Sequence, residues 1–155
     1  VLREHFWDVF IVDALLGNFD RHNGNWGFLY DDASESASIA PVFDCGSCLL
    51  PQADESTMRR VLSSESELHA RVFQFPTSAL KLNGRKINYY DFVSRGDNED
   101  CCSALMRVFP RIDLPRIKVF IDQFEPLSDL QREIYKTYIQ ARYDLILLPA
   151  YKRIV

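Results

Sequence analysis

The sequence predicts an α+β fold that is predominantly helical. Three observations carry this: an apolar helical pattern opens the chain, two pairs of short β-prone runs are joined by polar turns, and the second half is a succession of helical stretches. With 155 residues, 47% hydrophobic content, 11 Phe and 7 Tyr, residues 1–155 suffice for one domain with a substantial core. No repeat or interdomain linker interrupts it.

Leu2, Phe6, Val9, Phe10, Asp13 and Leu16 recur at spacings of three and four, and Trp7, Ile11, Val12 and Leu15 widen the face. A buried helix is expected, closed at Gly17-Asn18 because Gly adopts the left-handed conformation without strain. A polar loop follows from Asn18 to Asn25. Trp26 to Tyr30 reads as a strand, Asp31 to Ser36 as a turn and Ile39 to Phe43 as a second strand, which together make a hairpin. Asp54 to Arg60 reads as a loop or a short helix, and Ser64 to Val72 as a helix. Ala79 to Tyr90 forms two strands around Asn83-Gly84, a strong hairpin signal. Helices are expected over Asp91 to Ser94, Glu99 to Phe109 and Leu114 to Phe124. The last begins at Ser128, three residues before Gln131 as in a capping box, and runs to Leu148 or beyond.

A net charge of -4 and a pI near 5.3 argue against general affinity for nucleic acid or an anionic membrane, which both need clustered cations. A local basic patch is compatible with that balance. No apolar run approaches the roughly 20 residues of a membrane span and no signal segment opens the chain, so a soluble, cytoplasmic protein is expected. Cys45, Cys48, Cys101 and Cys102 do not form the dense framework of a small secreted domain. The start at Val1, directly inside a helical pattern, suggests a segment of something longer.

The stretch from Gly17 to Pro51 concentrates the chemistry. Asp20 and Asn25 lie in the polar loop, and Asp44 follows the second strand. A hairpin returns its outer ends to each other, so Asn25 and Asp44 should lie side by side. Oxygen donors from separate short loops suit a hard cation held against phosphate groups, and a nearby carboxylate suits a base. Taken singly, Asp20 and Asn25 are ordinary cap or turn residues. Their joint spacing is what points to a site.

These residues also carry a resemblance. The run D-R-H-N-G-N from Asp20 to Asn25, then W-G-F-L, then I-A-P-V-F-D-C-G-S from Ile39 to Ser47, resembles the catalytic and metal-binding motifs of HipA-like serine/threonine kinases. Phosphatidylinositol kinases share a similar D-R-H-x-x-N loop, but Ala40-Pro41-Val42-Phe43-Asp44 matches the A-P-x-x-D pattern of the HipA-like proteins. The closing R-Y-D-L-I-L-L-P also looks like the end of that family's helical lobe. The resemblance is motif-specific over about residues 10 to 51 and general beyond them.

It implies a protein-kinase-like C-terminal lobe with a catalytic-loop hairpin. Asp20 would be the catalytic base, and Asn25 and Asp44 would be ligands of the Mg2+ that accompanies ATP. His22 would organise the loop, Arg21 would balance Asp20 or approach a phosphate, and Gly46 would free the backbone after the metal ligand. A protein hydroxyl would be the acceptor. The chain holds no glycine-rich phosphate loop and no strand lysine, so the resemblance further implies an N-terminal lobe or partner chain that supplies them, and little activity without it.

Rival readings are weaker. A non-catalytic binding or regulatory module could use the same fold. Cys45-Gly46-Ser47-Cys48 has the spacing of a redox dithiol, yet Pro51 follows too soon for the helix that favours such a thiolate. A zinc site that includes adjacent Cys101 and Cys102 is disfavoured because neighbours rarely both reach one tetrahedral ion. All four cysteines read best as buried small hydrophobes. His5 and His69 have no second ligand at metal spacing and read as structural. No basic stripe accompanies the aromatics at Phe73, Phe75, Tyr89, Tyr90 and Phe92, so they read as core.

Overall fold

A computed structural model describes residues 1–155. Eight α-helices and two separate antiparallel hairpins make up the chain. In order these are α1 (Leu2–Leu16), β1 (Phe28–Asp31), β2 (Ser36–Ile39), α2 (Glu55–Ser63), α3 (Glu65–Phe73), β3 (Thr77–Leu82) and β4 (Arg85–Asn88). There follow α4 (Tyr89–Arg95), α5 (Glu99–Val108), α6 (Leu114–Gln123), α7 (Asp129–Arg142) and α8 (Leu148–Ile154). The α+β, predominantly helical class is what the sequence predicts. No helix is long and apolar enough to cross a membrane.

α1 is the buried helix its pattern requires: Val9, Phe10, Ile11, Ala14 and Leu15 are all buried, with α5 and α7 packed against it. Phe10 and Trp7 meet Phe92 of α4, edge-on and stacked respectively, and Phe10 also meets Tyr89. One contiguous core results, extending to Ile139, Ile146, Leu147 and Ala150 of the C-terminal helices. α2 packs on α7 through a small satellite core of Met58, Val61 and Ile134, and Leu68 of α3 packs against it.

Side-chain caps fix most helix starts. Asp54, Ser64, Asn88, Asn98 and Asp113 each accept a backbone N–H from the first turn of the helix they precede. Asp54 therefore decides the helical reading of the segment after it. Asn88 ends β4 and starts α4 at Tyr89, so Tyr89 and Tyr90 are helical rather than strand residues as the sequence suggests. The capping box at Ser128 and Gln131 is complete in both directions. The final helix runs on past Leu148 through a π-helical turn at Tyr143–Leu147. Pro149 lacks the N–H of a regular ladder, and the wider turn before it accommodates the loss.

The first hairpin pairs Phe28 with Ile39 and Asp31 with Ser36, and its second strand ends where the sequence expects it to begin. Pro41 explains the shift, since it cannot donate to a ladder and biases Ala40 toward an irregular extended path. Ile39 to Phe43 is thus a strand end followed by a loop. The second hairpin turns at Asn83-Gly84, both with positive φ (51° and 78°), as the sequence signal requires.

Candidate active site

The site is organised by the end of α1. Gly17 closes the helix at φ 66°, with its N–H donating to the Asp13 carbonyl. A side chain is also excluded there: a Cβ on Gly17 would lie 2.0 Å from Tyr138 Oη. The chain must therefore leave α1 in one direction, into the Asn18 to Asn25 loop.

Asp13 is the one carboxylate on the buried face of α1, and it is 3% exposed. Such a charge needs partners. Arg21, 2% exposed, supplies them by donating Nε to Asp13 Oδ2 at 3.0 Å and Nη2 to Oδ1 at 3.2 Å. Asn18, fully buried, donates Nδ2 to Asp13 Oδ1 at 2.9 Å and accepts the Asp20 N–H on its own Oδ1 at 3.1 Å. Tyr89 donates its hydroxyl to the Asn18 carbonyl at 2.6 Å. Burial opposes the Arg21 charge, but the Asp13 and Cys45 contacts outweigh it and hold the guanidinium more firmly protonated than usual.

The expectation that Arg21 balances Asp20 or approaches a phosphate is thereby corrected: it is a buried strut paired with Asp13. Its Nη1 donates to the Phe43 carbonyl at 2.5 Å and its Nη2 approaches Cys45 Sγ at 3.5 Å, so it holds the backbone before Asp44 and the side chain after it. Two backbone bonds continue the seam, Phe19 N–H to the Ser47 carbonyl and Leu49 N–H to the Leu16 carbonyl. The Asn18 to Asn25 loop and the Asp44 segment are thus one sewn unit.

Asp20 is exposed, and its carboxylate has no cation beside it because Arg21 faces Asp13. Asn25 is buried, and its Nδ2 donates to the Asp20 carbonyl at 2.7 Å, so the amide oxygen is the free end. His22 accepts the Gly24 N–H on Nδ1 and tightens the short 3-10 turn at Asn23–Asn25. The hairpin returns the chain through an Ala40 N–H bond to the Gly27 carbonyl, and Arg21, Asn25 and Phe43 line a single small cleft. Asp44 follows at φ 55°, exposed. It is Asp44 rather than Gly46 that takes the left-handed conformation, which corrects the expected role of that glycine.

No three His, Cys, Asp or Glu side chains converge on one point. The available donors are the Asn25 amide oxygen and the Asp44 carboxylate, a hard pair without a soft ligand. That set fits Mg2+, which takes one or two protein oxygens and completes its shell with phosphates and water.

Cys45 is exposed, Cys48 and Cys102 are half-buried, and only Cys101 is fully buried, so the expectation of four buried cysteines is corrected. All four are free thiols. Burial, with smaller contributions from Asp13 and Cys45, pushes the Cys48 thiol up to about 12, the opposite of an activated thiolate. Beside the loop, a cavity of about 390 Å³ opens between Phe19, the Leu50 to Ala53 segment, Arg71 and Phe75.

A helical body thus presents a D-R-H-N-G-N loop sewn to the segment that carries Asp44. The chain is 49% identical over 156 residues to the serine/threonine-protein kinase CtkA of Helicobacter pylori (strain J99), across 100% of this chain and 48% of that protein. It superimposes on a crystal structure described as a Helicobacter pylori proinflammatory kinase CtkA with a TM-score of 0.96 at 50% identity, over 99% of this chain and 56% of that one. No family model matches the sequence. The resemblance to serine/threonine kinases is borne out along the whole chain, which spans about half the length of the relatives it matches.

Proposed function

We propose that this chain is the C-terminal, catalytic-loop lobe of an ATP-dependent protein kinase that phosphorylates serine or threonine hydroxyls. The observation that carries the proposal is the seam itself: Arg21 binds the Phe43 carbonyl while Asn25 binds the Asp20 carbonyl, so the three polar candidates are tied to one buried ion pair. Asp20 has the unpaired, solvent-facing carboxylate that a base accepting the acceptor's hydroxyl proton requires. Asn25 and Asp44 would hold Mg2+, which when bound neutralises charge on the ATP phosphates. A separate lobe or partner chain would contribute the phosphate-covering loop, and this chain alone would transfer phosphate poorly.

The test is phosphotransfer by the chain joined to its complementary lobe. Asp20→Asn and Asp44→Asn should each lower the rate by about 10²–10⁴-fold with the fold intact by circular dichroism. Unchanged phosphotransfer in either variant would refute that residue's role. Loss of nucleotide binding without any phosphotransfer in the parent would instead identify a non-catalytic binding module.

A further inference from the structure

The second hairpin carries an electrostatic anomaly unrelated to the loop of Asp20. The chain has 22 acidic against 18 basic residues, yet no carboxylate occurs between Glu67 and Asp91. Lys81, Arg85 and Lys86 fall in that gap, all exposed, on β3 and β4. The register sets Lys81 directly opposite Lys86. Like charges directly across an antiparallel pair destabilise it, and no acidic neighbour on the hairpin offsets the repulsion.

A groove of about 590 Å³ runs from this hairpin to α4, where it meets Arg95. Asp91 is the one acid lining it. Arg95 itself reaches Asp97 at only 3.7 Å, with both side chains more than half exposed, so that pair leaves its charge largely available.

We propose that the β3–β4 hairpin and the start of the adjoining groove form a docking surface for an acidic polypeptide segment, with Lys81, Arg85, Lys86 and Arg95 as its cations. Charge complementarity selects the occupant's sign. Its class follows from what surrounds the cations. Phe92, the aromatic residue lining the groove, is 6% exposed and offers no stacking face for bases. Leu82, 50% exposed, is the one large apolar side chain on the hairpin that is exposed, too little for insertion into a bilayer. The overall charge of -4 repels an extended polyanion or anionic sheet outside the patch, whereas a short acidic segment fits within it. The surface stands whether or not the chain takes part in phosphotransfer.

The test uses the 155-residue chain and a fluorescent peptide of eight consecutive glutamates, followed by anisotropy at low salt. Binding should weaken with added salt and fall at least about tenfold in the K81E/K86E double variant. The R111E/R116E double variant makes the same change in net charge on exposed residues in and just before α6, neither of which lines the groove, and should stay within about twofold of the parent. No binding at low salt, or equal weakening in the two variants, would overturn the proposal. So would tighter binding to duplex DNA or to phosphatidylserine vesicles than to the peptide, since the surface would then serve a different class of partner.

Discussion

Arg21 and Asp13 form a two-point ion pair with both side chains almost completely removed from water, at 3.0 and 3.2 Å. The pair joins the last turn of α1 to the loop that holds Asp20, and through the Phe43 carbonyl to the segment that holds Asp44. A buried pair of this kind contributes less to stability than to specifying one arrangement, because desolvating two charges consumes most of their attraction.

Removing one partner is a different matter. Asp13→Ala leaves a buried guanidinium without a counter-charge and should cost about 3–5 kcal/mol in urea unfolding. Asp13→Leu combined with Arg21→Met should recover most of that stability while leaving Asp44 unanchored. If Asp13→Ala cost under about 1 kcal/mol, the pair would not be the strut described.

The sequence shows much of this frame and little of its wiring. α1, the Asn-Gly hairpin and the capping box are legible because a periodic pattern or a local turn signal dictates each. The strand assigned to Ile39 to Phe43 fails because the ladder stops at Ile39, just ahead of Pro41. Arg21 is misplaced because nothing local says which carboxylate an Arg will find, and its partner lies eight residues away on a helix. The available signal was Asp13 itself, a charge at a core position of an otherwise apolar helix. Arg142 and Tyr89 escape notice for the same reason: their partners are backbone carbonyls far away in sequence.

Gly17 and Tyr138 make a second prediction. Gly17→Ala combines a positive φ with a Cβ placed 2.0 Å from the Tyr138 hydroxyl, so it should destabilise the fold by about 2 kcal/mol or more. Tyr138 Oη is buried without a hydrogen-bond partner. Tyr138→Phe should therefore change stability by less than about 1 kcal/mol, and should relieve part of the Gly17→Ala cost in the double variant. Strict additivity of the two would argue against the contact.

Arg142 is completely buried with no carboxylate at hand. Instead, Nε donates to the Ala14 carbonyl and Nη1 to the Arg71 carbonyl, both at 2.7 Å, in the last turns of α1 and α3. Two helix C-termini thus provide the negative potential that an acid would otherwise supply. Burial still lowers its pKa, although the neighbouring Tyr138 and Tyr89 oppose that shift. Arg142→Met leaves two buried carbonyls unpaired and should cost about 2–4 kcal/mol by calorimetry or urea. Arg142→Lys should fall between, because one ammonium cannot reproduce the two-pronged geometry. A neutral Arg142→Met would show that those carbonyls find other donors.

Alkaline pH provides the last test, and its sign follows from the thiols. Burial pushes both Cys48 and Cys101 up to about 12 from an ordinary 9.0. The folded state then holds these protons more tightly than the unfolded chain does. Their contribution to stability is complete below the unfolded value and is lost as pH rises toward the folded one. Tyr89 shifts the same way, again chiefly through burial. The urea midpoint should hold steady to about pH 8.5 and then fall, with a shallower fall in Cys48→Ser. Alkylation by iodoacetamide at about pH 8 should modify exposed Cys45 well before Cys48, and Cys101 only on unfolding. A midpoint that stays flat to about pH 10.5, or Cys48 labelling as fast as Cys45, would contradict the burial that sets both thiols.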